Sequence, residues 1–300
     1  MRLVFFLAAY IAVIPLTGAA QHPIEVQRFA AKKDFLSALT TYGKMSSRKI
    51  TPAAAVAAGK SAWALGLPQI ALKEFDRALL LSDVSGGLTH AEKSRVLFSQ
   101  SIIEFQEGEY AASAVQAQKA LELINEDGPL KGQILMLLGD ALFFLEQYKN
   151  AEEKYESSAK MINSENDGDL YYSLGRCQLR MGKLQESKHS FQQIPLHHEK
   201  SPAAIRALAQ IAFESNKFEE VVFWLRKGRE EYKDSFLDSW VDYALARSFI
   251  ALNEFEEARK VGEFAENRYP PSDSWYVLLE AMLEAFEWDQ GNKETEEISG

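Results

Sequence analysis

Cysteine is almost missing from this sequence, which has only Cys177 among its 300 residues. Because a disulfide needs two cysteines, no intramolecular bridge can staple the fold. Cys177 lies in the helix-like stretch 174–179, beside Leu174 and Leu179. We therefore expect it to be a buried small hydrophobic residue rather than a reactive thiol.

Recognisable catalytic and metal-binding motifs are lacking as well. Gly59, Lys60 and Ser61 resemble the end of a phosphate-binding loop, but that motif requires glycine where Ala54 stands. The pair His197 and His198 beside Glu199 is the one ligand-like cluster, and adjacent residues do not generally converge on one ion. The sequence therefore predicts no enzyme, no cofactor and no metal ion.

Positive charge is also in deficit. The chain has 33 basic and 43 acidic residues, for a net charge of −10. An acidic protein is a poor nonspecific ligand for nucleic acid or for an anionic membrane. We expect neither as a partner.

The longest apolar run covers only Leu3 to Ile14, which is too short for a bilayer that needs about 20 residues. It follows Arg2 and precedes the small residues 18–20, an order typical of a signal peptide. The sequence predicts that residues 1–20 are cleaved and that the mature protein begins at Gln21, is exported without membrane insertion, and reaches the periplasm or is secreted. The alternative is an uncleaved, membrane-associated N-terminus.

What the sequence does contain is an internal repeat. A turn is followed by an aromatic residue or leucine and then by small and bulky residues at fixed offsets, with a period of about thirty-five residues. The turn-adjacent members are Phe35, Tyr110, Tyr148, Leu184, Phe218 and Phe255, and the segment with Ala71 and Phe75 belongs to the same series. A period of this length predicts stacked helix pairs, whose function lies in an extended surface.

Two further patterns support helix pairs. Each first helix carries a small residue where its second helix must approach, at Gly59, Ser101, Gly139, Gly175, Ala209 and Ala246. The turn between the helices has a residue that accepts a left-handed conformation, at Gly66, Gly108, Gly182, Asn216 and Asn253. Glu146 departs from this rule.

The pattern resembles the tetratricopeptide repeat family over residues 24–287. It is matched best by two segments, one with Leu138, Gly139, Tyr148, Ala151 and Tyr155, the other with Tyr171, Leu174, Gly175, Gly182 and Phe191. Ala55, Ile205 and Asp242 stand where the family favours tryptophan or leucine. The resemblance implies an all-α fold, a right-handed α-solenoid of about seven helix pairs over residues 21–287. Its C-terminal capping helix would span 272–287, and a disordered acidic tail would cover 288–300.

In this family the first helices line a concave groove that meets partner peptides. Carried over to this sequence, the resemblance places ten candidate partner-binding residues there, namely Phe98, Met136, Phe143, Phe144, Tyr172, Arg176, Arg180, Arg206, Tyr243 and Arg247. Arginine and aromatic residues dominate binding hot spots, and arginine pairs with carboxylates. We expect a protein or peptide partner with an acidic segment. The alternative for the same residues is structural, with the rings in the core and the arginines paired to neighbouring carboxylates.

The predicted function is that of a non-enzymatic scaffold or adaptor, with a role in cell-envelope assembly as one setting. A second hypothesis is a soluble protein that binds glycan or peptidoglycan, with Trp63, Trp224, Trp240 and Trp275 as stacking platforms. Such a protein would need its tryptophans on one surface.

Overall fold

The computed structural model describes residues 23–162 and 167–299, with side chains through Trp288. The predicted signal peptide at residues 1–20 lies outside the described residues. The described part of the chain contains fifteen α-helices and no strand. None of these helices is long and apolar enough to cross a membrane.

Seven consecutive pairs and a final helix make up this order, which confirms the predicted all-α repeat architecture. The helices are α1 (Pro23–Ala31), α2 (Phe35–Gly43), α3 (Pro52–Ala64), α4 (Pro68–Ser85), α5 (His90–Gln106), α6 (Tyr110–Glu122), α7 (Pro129–Phe144), α8 (Tyr148–Ala159), α9 (Gly168–Arg180), α10 (Leu184–Gln192), α11 (Ser201–Glu214), α12 (Phe218–Glu231), α13 (Ser239–Ala251), α14 (Phe255–Glu266) and α15 (Ser274–Ser299). Short 3-10 turns cover Ser47–Lys49 and Lys233–Phe236.

The chain divides into two compact units. Unit 1 comprises the described residues up to Gly108 together with Glu122–Ile124. Unit 2 comprises Glu109–Leu121 and the described residues from Asn125 onward. Every feature below is assigned to one of these units.

The predicted small residues lie where the two helices of a pair meet. A Cβ atom on Gly139 of α7 would lie 2.7 Å from the ring of Tyr155 on α8, and one on Gly175 would lie 2.8 Å from the ring of Phe191. In unit 1, a Cβ on Gly59 would lie 2.6 Å from the ring of Phe75. In these three pairs the first helix has no side chain at the point where the second helix presents an aromatic ring.

The predicted turn residues adopt the left-handed conformation. Gly182, Asn216 and Asn253 have φ values of 74°, 54° and 61°. Glu146 has a φ of 60° although it is neither glycine nor asparagine. Lys33, between α1 and α2, has a φ of 62°. The geometry of the turn is thus kept even where the residue is poorly suited to it.

Side-chain caps define the starts of two first helices. The Thr89 hydroxyl accepts from the backbone N–H of Glu92, whose carboxylate accepts from the Thr89 N–H, a complete capping box. Thr51 caps α3 by accepting from the N–H of Ala54 at 3.2 Å. Ser201 is the first residue of α11, and its hydroxyl donates to the carbonyl of Pro195 at 2.6 Å.

Asp242 explains one departure from the family pattern. Its carboxylate is fully buried on α13, where it pairs with Arg229 of α12 and accepts from the Tyr269 hydroxyl at 2.5 Å. Arg268 lies 4.0 Å away. A buried carboxylate costs free energy unless it is paired in this way, so an ionic network replaces the apolar contact that the family favours at this position.

Cys177 is buried, as expected, and its Sγ donates to the carbonyl of Tyr148 at 3.0 Å. Burial raises the pKa of this thiol to about 11, so it stays protonated near neutral pH.

The final helix differs from expectation, since α15 continues to Ser299 through the segment predicted as a disordered tail. That segment contains no proline that would end the helix.

Candidate partner-binding surface

Nine of the ten candidate residues belong to unit 2. They lie on α7, α9, α11 and α13, the first helices of four consecutive pairs. Phe98 is half-buried on α5 of unit 1 and is described with that unit. The candidates in unit 2 fall into residues that form the core, residues tied to carboxylates, and residues that face solvent.

The apolar candidates on α7 are largely structural. Phe143 is only 8% exposed and packs edge-on against Tyr148 with 5.4 Å between ring centroids. Met136 is half-buried against the same core. Phe144 is 46% exposed and stacks on Tyr110 at 4.5 Å. Of the α7 candidates, only Phe144 offers a large apolar surface to a partner.

Arg176 is held by rings. Its guanidinium lies 4.6 Å from the ring centroid of Phe143 and 5.7 Å from that of Tyr172. It has no carboxylate within ion-pair distance among the described side chains. Ring faces attract the cation electrostatically and leave its N–H edges available. We call Phe143, Tyr172 and Arg176 the Arg176 cluster.

Asp140 lies behind this cluster. Its carboxylate accepts from the Tyr155 hydroxyl at 2.8 Å and from the Ser173 hydroxyl at 3.1 Å. Burial raises its pKa to about 6, although both hydrogen bonds and the charge of Arg176 oppose that rise. Desolvation of the carboxylate outweighs its favourable partners here. The group titrates on the acidic side of neutrality.

Arg180 and Arg206 differ sharply. Arg180 is exposed at the end of α9 and has no ion-pair partner in the part of the chain that the structure describes. Arg206 is committed internally: its guanidinium donates to Asp238 at 2.6 Å and to the Ser235 carbonyl at 2.5 Å. It also lies over the ring of Phe236 at 5.1 Å. The structure therefore gives Arg206 a tie to the segment before α13, where the sequence had placed it in the groove.

Arg247 is the exposed centre of a second cluster. Its guanidinium lies 5.0 Å from the ring centroid of Phe213 and donates to the Tyr243 hydroxyl at 3.3 Å. Tyr243 in turn lies 5.2 Å from Trp275 of α15, and Phe213 lies 6.4 Å from Trp240. We call these five residues the Arg247 cluster. No described carboxylate pairs with Arg247.

Sequence reasoning missed Phe213 as a member of this surface. The signal was present, because Trp63, Phe105, Phe143 and Phe213 all stand three residues before the left-handed turn residue. The structure also brings Trp240 of α13 and Trp275 of α15 into one cluster. Trp240 packs against Phe213, Phe213 packs against Tyr243, and Tyr243 packs against Trp275.

Unit 1 contains a separate cavity of about 450 Å³. Its walls come from α1, α3 and α5 and include the small or apolar residues Ala30, Ala53, Val56, Ala57 and Val96. Lys60 and Arg95 are exposed at its edge. The cavity was missed because alanine and valine carry no binding signal in a sequence.

The structure gives His198, the second residue of the histidine pair, a defined packing environment. His198 packs against Gly168, where a Cβ atom would lie 2.4 Å from its ring. Its Nδ1 accepts from the Lys200 backbone N–H at 3.2 Å. Among the described residues, no group of three potential ligands converges. His198 therefore has a packing role at the start of α9.

Comparisons with known proteins agree with this architecture. Tetratricopeptide repeat family models match residues 56–129 and 168–194. No curated protein sequence matches the chain. The C-terminal part of a repeat-containing protein from Cytophaga hutchinsonii superposes with a TM-score of 0.67 at 12% identity, over 86% of this chain and 99% of that one.

Two other solved structures share the fold. PilF of Pseudomonas aeruginosa gives a TM-score of 0.52 at 11% identity, over 71% of this chain and 92% of its own. YrrB, described as a repeat protein with an unusual peptide-binding site, gives 0.50 at 17% identity, over 67% and 93%. Likeness at such low identity concerns the fold alone. With its helix pairs, inter-helix small residues and two matching repeat models, the chain contains tetratricopeptide repeats.

Proposed function

We propose that this protein is a non-enzymatic adaptor that binds acidic segments of protein partners on the first helices of unit 2. One observation carries the proposal. Arg176, Arg180 and Arg247 have no ion-pair partner among the described residues, in a protein whose net charge is −10. By contrast, Arg206, Arg229 and Arg259 all pair with carboxylates.

The setting of these guanidinium groups favours recognition of carboxylates. Arg176 and Arg247 lie on aromatic faces at 4.6 Å and 5.0 Å, which restrains them before a partner arrives. A restrained side chain loses less conformational entropy on binding. Arginine donates two parallel hydrogen bonds to a carboxylate, so this arrangement suits aspartate and glutamate side chains.

Aromatic residues beside the arginines define the rest of the partner. Phe144, Tyr172 and Trp275 expose ring surface near or within the two clusters. A segment that alternates apolar and acidic residues would satisfy both features. YrrB, with its peptide-binding site, supports this use of the fold by analogy.

Fluorescence anisotropy with synthetic peptides tests the proposal. The probe is a labelled 15-residue peptide with leucine and phenylalanine interspersed with glutamate, and its match carries lysine at each glutamate. We expect binding of the acidic peptide alone, weakened as salt rises because exposed charges are screened over about 8–10 Å. Equal binding of both peptides would contradict the proposal.

We also propose that the adaptor is exported and acts in the periplasm or outside the cell. The support is the order Arg2, Leu3–Ile14 and the small residues 18–20. Mass spectrometry of the protein from its native cells should find Gln21, or its cyclised form, at the N-terminus. A chain that begins at Met1 and stays in the membrane fraction would contradict export.

Glycan binding is the second candidate function. The observation that favours it is the aromatic series Trp240, Phe213, Tyr243 and Trp275, with neighbouring centroids 5.2–6.4 Å apart. Exposed tryptophan and tyrosine can stack on sugar rings. Retention of peptidoglycan fragments by the wild-type protein, lost in Trp275→Ala, would favour this function over the adaptor.

A further inference from the structure

The last helix repeats the beginning of a first helix. The sequence Asp273-Ser274-Trp275 at the start of α15 matches Asp238-Ser239-Trp240 at the start of α13. Asp273 accepts from the N–H of Tyr276 at 3.0 Å, and Asp238 accepts from the N–H of Val241 at 3.3 Å. The two helices therefore share a register that can be compared residue by residue.

This register places a small residue of α15 where first helices receive their second helix. The small residue follows the capping aspartate by eight positions in α9, at Gly175, and in α13, at Ala246. In α15 the same spacing leads to Ala281. Ala246 is fully buried, and a Cβ on Gly175 would contact Phe191, whereas Ala281 is exposed.

Ala281 lies at the centre of an exposed apolar stripe. Helical spacing puts it on one face with Val277, Ala285 and Trp288, and Leu278 borders that face. Val277, Leu278 and Trp288 are 46%, 48% and 75% exposed. The opposite face is satisfied, since Tyr276 and Leu279 are buried in the core that α13 and α14 share with α15. We call this exposed face the α15 stripe.

Carboxylates lie along one edge of the α15 stripe. Glu280, Glu284 and Glu287 are exposed, and the helix has no basic residue from Ser274 to Trp288. Glu287 is paired with Arg259 at 3.3 Å, but Glu284 has no ion-pair partner among the side chains described. An approaching second copy of α15 would oppose like charges, which disfavours pairing of two copies through this face.

We propose that the α15 stripe receives an amphipathic helix of a partner protein, which packs as the second helix that this repeat lacks among the described residues. The partner helix carries an aromatic residue opposite Ala281, as Phe191 stands opposite Gly175, and lysine or arginine opposite Glu280 and Glu284. This surface is distinct from the Arg176 cluster and does not depend on it. The partner proposed for the α15 stripe is basic, whereas the segment expected at the Arg176 cluster is acidic.

A matched pair of peptides tests the proposal with the full chain. The probe is a labelled 16-residue helical peptide with phenylalanine and leucine at i, i+3, i+4 and i+7 and lysine on both flanks. Its match carries glutamate at each lysine. We expect the lysine peptide to bind at least tenfold more tightly than the glutamate peptide, a difference of about 1.4 kcal/mol.

Three variants locate the binding. Ala281→Gln should weaken the lysine peptide about tenfold or more by blocking close approach, and Glu284→Lys should reduce the preference for lysine over glutamate. Ala203→Gln, at an exposed alanine on α11, should leave binding unchanged. Circular dichroism melts of the three variants should coincide, because all three positions are exposed.

Three outcomes would overturn the proposal. One is equal affinity for both peptides, and another is binding that Ala281→Gln leaves unchanged. The third is concentration-dependent dimerisation of the chain that Ala281→Gln abolishes, which would make a second copy the occupant. Because Arg180→Glu/Arg247→Glu should leave the lysine peptide bound, failure of the adaptor function would be distinguishable from failure here.

Discussion

At the scale of single residues, Glu146 has a strained backbone conformation in a turn where other repeats have glycine. Its φ of 60° belongs to a region that costs a non-glycine residue about 1–2 kcal/mol. Gly66, Gly108 and Gly182 occupy the equivalent turns at 72°, 83° and 74°. The turn, rather than the residue, is what the repeat requires.

Glu146→Gly should therefore stabilise the protein by about 1 kcal/mol, since relief of strain exceeds the added entropy of the unfolded chain. Gly182→Ala is the matched control, because a Cβ at Gly182 would meet nothing within 4 Å and only the backbone would be strained. It should destabilise by a similar amount. Urea midpoints measure both, and a lowered midpoint for Glu146→Gly would contradict this account of the turn.

Asp140 makes stability depend on pH. Its folded pKa is about 6, against roughly 3.9 for an unperturbed aspartate. Between these pH values the folded state holds a proton that the unfolded state releases. The contribution of Asp140 to the unfolding free energy therefore falls as pH rises from about 4 to 6 and levels off above that range.

Asp140→Asn removes this titration. The unfolding free energy of the variant relative to wild type should rise with pH from 4 to 6, by an amount on the order of 2 kcal/mol. Denaturant melts at four or five pH values measure the difference. A difference that does not change with pH would mean that Asp140 is ionised throughout this range.

At the scale of helix pairs, the fold depends on close approach between the first and second helix. Gly139 and Gly175 lie under aromatic rings that a Cβ atom would meet at 2.7 and 2.8 Å. Tyr155 and Phe191 are themselves 1% and 2% exposed, so they have little room to move. Larger side chains must separate the helices.

Gly139→Leu and Gly175→Leu should each destabilise the protein by roughly 1–3 kcal/mol through overpacking. Gly43→Ala is the control, because its Cβ would meet nothing within 4 Å. The leucine variants should also broaden the unfolding transition, since a repeat array weakened internally loses cooperativity. Midpoints equal to that of the control would show that these glycines tolerate bulk.

At the scale of the whole molecule, the number and order of helix pairs could be predicted because they follow from a local period. Turn residues and small residues recur at fixed offsets, and each constrains only its own pair. Even Glu146 kept the predicted turn. The same local rules did not show how α15 ends, because nothing in the repeat specifies where the last helix stops.

The binding surface was harder to predict because side-chain partners come from distant positions. Arg206 pairs with Asp238, which is 32 residues away, and no spacing rule joins them. Phe143 proved to be core because Tyr148 of the next helix covers it. Arg176, Tyr243 and Arg247 lie on first helices as expected, while their role in binding stays a prediction.

The central claim is that exposed arginines of unit 2 bind acidic partner segments. Its most direct test is the affinity of the acidic peptide for Arg180→Glu/Arg247→Glu at low and moderate salt. The control is Lys149→Glu/Lys233→Glu, which makes the same change in charge at two other exposed positions. Both variants should keep wild-type melts, since all four positions are exposed and surface substitutions of this kind usually change stability by less than about 0.5 kcal/mol.

We predict that the arginine variant loses affinity at least tenfold at low salt and that the lysine control changes little, because attraction becomes repulsion only where the peptide lies. Unaltered binding by the arginine variant at both salt concentrations, with its fold intact, would contradict the claim and place recognition elsewhere on the protein.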